Sequence, residues 1–96
     1  MNIKKIAVLT SGGDSPGMNT ALRAVVRTCA FNQIKCAGIY RGFEGLINNE
    51  IKDLGTRSVR GIINRGGTML YSARSKEFRT KAGREKAYKN VIKNNI

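Results

Sequence analysis

The sequence predicts an α/β fold: an open, mostly parallel sheet with helices on both faces, incomplete within this chain. Three observations predict it. Residues 3–9 (IKKIAVL) end in an unbroken apolar run, the pattern of a strand buried on both faces. A glycine-rich loop and then an amphipathic helix follow. Residues 35–40 (KCAGIY) read as a second short strand, which a right-handed crossover sets parallel to the first.

Each element has a local reason. After the loop, Met18, Ala21, Leu22, Val25, Val26, Cys29 and Ala30 recur at helical spacing and form one apolar face, ending near Asn32. Pro16 suits a first helical turn, where a missing N–H costs nothing. Gly42, Phe43, Glu44, Gly45, Leu46 and Ile47 read as a loop running into a short helical turn. Residues 58–64 (SVRGIIN) read as a second helix with Ser58 as its N-cap. Arg65, Gly66, Gly67 and Thr68 form another glycine-rich turn. Residues 80–94 read as a last helix, capped by Thr80, with Ala87, Tyr88, Val91 and Ile92 as its apolar stripe. The rhythm then calls for another buried strand where the chain stops. The expectation is an N-terminal piece of a larger domain.

Composition bounds the function. The 96 residues suffice for one small domain. No stretch approaches the roughly 20 apolar residues of a membrane span, and no apolar segment follows the first lysines as in a signal peptide. Cys29 and Cys36 are too few for a disulfide scaffold and fit no metal spacing, which predicts a reduced, cytoplasmic compartment. Eighteen Lys and Arg against six Asp and Glu give a net charge of +12, a field that favours phosphates, nucleic acid or acidic partners. Histidine is absent, so histidine base chemistry and histidine-bound metals are excluded. Aromatics at 6% are sparse for a single-strand stacking platform.

The loop Thr10, Ser11, Gly12, Gly13, Asp14, Ser15, Pro16, Gly17 joins the strand to the helix. Such a turn aims backbone N–H groups at a helix start, a geometry that binds phosphate. Without Cβ atoms, Gly12 and Gly13 admit a close approach. The loop is neither a P-loop nor the dinucleotide fingerprint, and a tight turn without ligand fits the pattern equally well. Asp14 would cap the helix or act on phosphate through Mg²⁺ and water. Arg23 and Arg27 stand one helical turn apart, away from the apolar stripe, spaced for a di- or triphosphate or simply solvated. Arg65 and Arg74 flank the second glycine turn. Phe43, between two glycines, would stack on a base or fill a core gap.

These residues resemble a known family. Residues 6–27 (IAVLTSGGDSPGMNTALRAVVR) closely resemble the N-terminus of bacterial ATP-dependent 6-phosphofructokinases. Residues 40–46 (YRGFEGL), residues 63–74 (INRGGTMLYSAR), Glu77 and Phe78 resemble its next segments. The likeness runs through essentially all 96 residues and about the first third of such an enzyme.

The resemblance implies that residues 1–96 are the N-terminal part of an ATP-binding α/β domain. It implies transfer of a phosphoryl group from MgATP to the 1-hydroxyl of fructose 6-phosphate, giving fructose 1,6-bisphosphate and ADP. Gly13 would meet the ATP phosphates through its backbone, within the loop of Ser11, Gly12 and Asp14. Arg74 and Ser75 would lie on ATP, with Arg74 near the transferring phosphoryl group, and Phe43 would lie near the adenine. The stretch Arg23, Ala24, Val25, Val26 and Arg27 matches an allosteric ADP site at a subunit interface. The segment Thr56–Gly61 matches another part of that site, more loosely: the family's arginine at the position of Thr56 stands one residue on, at Arg57. The nucleotide and Mg²⁺ loop and the catalytic aspartate would fall beyond Ile96, so no catalytic residue or metal ligand is expected within this chain, and the chain alone is expected to be inactive. A cytoplasmic homotetramer with no membrane or specific nucleic-acid partner is implied. The rivals are a pyrophosphate-dependent phosphofructokinase and a small basic nucleic-acid-binding protein.

Overall fold

The computed structural model describes residues 3–10, 18–60, 69–73 and 75–96. Strand β1 (Lys5–Val8) leads to helix α1 (Met18–Phe31) and strand β2 (Lys35–Ile39). Helix α2 (Gly42–Ile47) and strand β3 (Ile51–Leu54) follow, then a single 3₁₀ turn over Glu77–Arg79 and helix α3 (Lys81–Lys93). The strands lie in the order β1-β2-β3. β1 runs parallel to β2, with Ile6 opposite Cys36 and Val8 opposite Gly38. β2 and β3 are antiparallel, with Ile39 opposite Ile51 and Cys36 opposite Leu54.

The α/β class is borne out, with a mixed sheet in the described part. The reason is the length of the links. A parallel return needs about a dozen or more connecting residues, which the β1-to-β2 segment supplies through α1. The short link holding α2 brings β3 straight back alongside β2. Its closure is a hydrogen bond from the Tyr40 N–H to the Glu50 carbonyl (2.9 Å).

Alternation along the strands sorts the core into two faces. On one, Ile6 and Val8 of β1, Cys36 of β2 and Leu54 of β3 pack with Leu22, Val26 and Cys29 of α1, and with Val59 and Leu70. On the other, Ala7, Ile39 and Ile51 pack with Leu46 and Ile47 of α2 and with Ala87 and Val91 of α3. Gly38 makes the first face possible: a Cβ there would lie 2.7 Å from a Leu54 methyl and 2.9 Å from a Leu70 methyl.

The three helices end alike. After α1, the Ile34 N–H reaches the Cys29 carbonyl (2.8 Å) and the Gln33 N–H the Ala30 carbonyl (3.2 Å), with Gln33 left-handed at φ 59°. Asn49 (φ 60°) and Asn95 (φ 61°) take the same place after α2 and α3. The start of α3 is capped as expected: the Thr80 hydroxyl accepts from the Gly83 N–H (2.9 Å).

Two expectations are corrected. Ser58 does not cap a helix: over 56–60 the chain is a turn, in which the Ser58 hydroxyl accepts from the Gly55 N–H (3.1 Å), while 61–64 lie outside the described residues. In α3 only Ala87 and Val91 of the expected stripe join the core; Tyr88 and Ile92 are 67% and 57% exposed. Gly83 sets this rotation. A Cβ at Gly83 would fall 1.8 Å from the Glu77 carbonyl oxygen, so α3 presses its glycine against the 3₁₀ turn. Asn90, on the same side, donates to the Leu46 and Ile47 carbonyls (2.7 and 2.9 Å) at the end of α2.

Candidate functional site

Two places in the fold gather the residues singled out by sequence. The first lies past the C-terminal end of β1, where ligands sit in open α/β sheets. There the Thr10 hydroxyl donates to the Tyr71 carbonyl (3.0 Å). The backbone of Gly42 lies close to the Thr10 carbonyl and to Ala73: a Cβ on Gly42 would be 3.1 Å from the former and 3.9 Å from Ala73 N. Segment 69–71 is tied from below. Asn19, buried on α1, accepts from the Met69 N–H (2.7 Å), and the Arg41 N–H reaches the Leu70 carbonyl (2.8 Å).

At this end Phe43 stacks on Phe78, with centroids 4.3 Å apart and planes at 25°. The core-filling alternative for Phe43 therefore has a concrete partner, and the ring packs against the second core face. Ser75 accepts from the Phe78 N–H (3.2 Å), so its hydroxyl oxygen anchors the 3₁₀ turn. Ser11, Gly12, Gly13, Asp14, Pro16, Arg65 and Arg74 lie outside the described residues.

The second place is a cleft of about 390 Å³ between α1 and the turn after β3, lined by Arg23, Arg27, Thr56, Arg57 and Arg60. The helix supplies two guanidinium groups one turn apart, and the turn supplies two more. Arg57 lines the cleft beside Thr56, so the one-residue displacement noted in the sequence keeps the guanidinium at the site. Of the stretch 23–27 only the two arginines line it. Val26 is in the core at 1% exposed, and Ala24 and Val25 border a separate apolar hollow with Ile6, Thr28 and Ile34. No ion pair joins any of the four arginines to a carboxylate among the described residues.

Arg60 was not named on its own, although it lies within residues 56–61, which the resemblance matches to this site, and three residues from Arg57, a spacing that a tight turn brings to one side. Asn19 was missed too. It extends the stripe of Leu22, Val26 and Cys29 by one turn, and a polar residue on an apolar stripe is the available signal.

Elsewhere the chemistry is structural. Arg41 holds Glu50 through Nε (3.1 Å) and Nη2 (2.5 Å). That hydrogen bonding, with the guanidinium charge, keeps the Glu50 carboxyl below its usual range. Cys29 and Cys36 are both free and buried. Burial, and then the adjacent Cys29 sulfur, pushes the Cys36 thiol up to about 11, which leaves it protonated and unreactive at neutral pH. Among the described residues no three metal-ligating side chains cluster, and no helix is long and apolar enough to cross a membrane.

The phosphofructokinase family pattern matches residues 5–96. The chain belongs to the phosphofructokinase family. It is 58% identical over 89 residues to an ATP-dependent 6-phosphofructokinase of Staphylococcus carnosus, covering 93% of this chain and 28% of that protein. The phosphofructokinase of Saccharomyces cerevisiae superposes with a TM-score of 0.93 at 48% identity, over 97% of this chain and 13% of the other. A pyrophosphate-dependent phosphofructokinase of Marinobacter aquaeolei shares the fold (TM-score 0.77) at 22% identity, over 98% of this chain and 24% of its own. The chain thus spans less than a third of the length of these phosphofructokinases.

Proposed function

We propose that residues 1–96 form the N-terminal part of the ATP-binding domain of an ATP-dependent 6-phosphofructokinase, a cytoplasmic enzyme of glycolysis. The 58% identity to a relative named as ATP-dependent carries this reading. It also favours ATP over pyrophosphate as donor, since the pyrophosphate-dependent relative is only 22% identical.

In this reading the γ-phosphoryl group of ATP passes to the 1-hydroxyl of fructose 6-phosphate, whose proton leaves as the new ester forms. Little covalent work falls to the protein, and positioning with charge stabilisation does most of the catalysis. Gly13 offers its N–H to the ATP phosphates, in the loop with Ser11, Gly12 and Asp14. Ser75 and Phe43 border the nucleotide, and Arg74 stabilises charge on the transferring group. Mg²⁺ held by ATP would supply charge neutralisation at the phosphates, and no residue of this chain is assigned to bind it. The arginine cleft is the ADP effector site, at an interface of a homotetramer. The catalytic aspartate lies outside these residues, so the 96-residue chain alone does not turn over.

A coupled assay tests the reading on an intact enzyme that carries this sequence. ATP should support turnover and pyrophosphate should not. Arg74→Ala, with the fold preserved, should lower kcat by about a hundredfold or more. Unchanged kinetics in that variant would remove the Arg74 role, and preference for pyrophosphate would overturn the choice of donor.

A further inference from the structure

The two cysteines take no part in the sites described above, yet the fold brings them together. Cys29 continues the inward stripe of Leu22 and Val26 on α1, and Cys36 lies on the central strand β2, opposite Ile6 of β1 and Leu54 of β3. The turn between them is closed by the Ile34 N–H on the Cys29 carbonyl (2.8 Å), with Gln33 left-handed. It folds the helix back onto the strand, so both side chains enter the same core face. Each residue is 4% exposed, and the two sulfurs lie within hydrogen-bonding reach of each other.

Buried as they are, the sulfurs can be reached by something small. A hollow of about 220 Å³, far more than one water needs, opens onto both cysteines, with Val26, Ala30, Ile34 and Leu54 also in its lining. Cys29 borders the apolar hollow beside Ile6 as well.

What such a pair can hold follows from softness and charge. Sulfur is a soft ligand and selects soft metals. Two thiolates carry two negative charges, and in an apolar core only a divalent partner leaves a neutral product. Zinc is divalent but takes four ligands, and no third metal-ligating side chain joins the pair among the described residues. Asp53, in the same hollow, is a hard oxygen ligand and pairs with Lys5 (3.6 Å). The mercuric ion is both soft and divalent, and two sulfurs in line satisfy it.

We infer that Cys29 and Cys36 form a two-sulfur site for Hg²⁺, which staples α1 to the central strand. Binding breaks two S–H bonds, forms two Hg–S bonds and releases two protons to water, and no atom changes oxidation state.

Titration of the reduced 96-residue chain with mercuric chloride, followed by ultraviolet absorption and native mass spectrometry, tests this, because these are the only cysteines in the sequence. One ion should bind per chain, the chain should stay monomeric, and Tm by circular dichroism should rise by about 5 °C or more. Removing one sulfur removes the intramolecular second bond. Cys29→Ala and Cys36→Ala should therefore each surrender the ion to competing glutathione at a concentration about a hundredfold lower than the parent chain does. Circular dichroism without metal checks the fold of each variant, and Cys29→Ser and Cys36→Ser replace an alanine variant that fails to fold. Two ions per chain, ion-bridged dimers, loss of the helical spectrum on binding, or single-cysteine variants that hold the ion as tightly as the parent would each overturn the inference.

Discussion

Arg41 shows how one residue meets several demands. It sits left-handed at φ 61°, a conformation that costs a residue with a Cβ about 1 kcal/mol or more. From there its N–H holds Leu70 and its guanidinium holds Glu50 across the α2 link. The pair gives a pH signature. Glu50 titrates below its ordinary range when folded, so its contribution is complete above the unfolded-state value and is lost as pH falls through the lowered one. In acid titrations followed by thermal melting, Glu50→Gln should flatten part of the decline in Tm towards low pH and lower Tm at neutral pH. An acid limb identical to that of the parent chain would show that the pair contributes nothing to stability. The sequence shows the two charges but not their meeting, because only the short β2-to-β3 return brings position 41 beside position 50.

At the level of elements, local signals were readable wherever local chemistry decided the outcome. The stripe of Leu22, Val26 and Cys29 marks α1, and the Thr80 hydroxyl three residues before Gly83 marks the start of α3. Strand β3 went unseen, since half of Ile51, Lys52, Asp53 and Leu54 is charged and the strand lies half-exposed at an edge. The side of α3 that faces inward was misread for a different reason. Tyr88 with Ile92 makes as good an apolar pair as Ala87 with Val91, and what chooses between them is distant: the Glu77 carbonyl against Gly83, and the Leu46 and Ile47 carbonyls under Asn90. The helix ends offer a direct test. Asn49 and Asn95 tolerate the left-handed position, whereas Gln33 has no such aptitude. Gln33→Gly should therefore stabilise the chain by about 1 kcal/mol in denaturant unfolding, and Gln33→Val should destabilise it. Loss of stability on Gln33→Gly would mean that the terminus of α1 is held by something other than its backbone geometry.

For the molecule as a whole, the +12 charge and the two-faced core pull in opposite directions. Close packing compacts the chain while its cations repel one another, four of them at a single cleft. Raising NaCl to about 0.5 M, where surface charges are screened beyond a few ångströms, should raise Tm. A Tm that falls with salt would show that attractive pairs outweigh the repulsion. The cleft itself was half legible: the spacing of Arg23 and Arg27 is written in the helix, but their meeting with Arg57 and Arg60 depends on the sheet that carries the chain back past α1. The sheet also leaves part of one seat to a residue outside its strands. Strands β1 to β3 are complete by Leu54, which covers Gly38 in part, yet the rest of the space over Gly38 is covered by Leu70, with no measurable exposure, held from α1 and from Arg41. As the polypeptide emerges from the ribosome, the sheet can therefore assemble early but stays open on one side until that leucine has been translated.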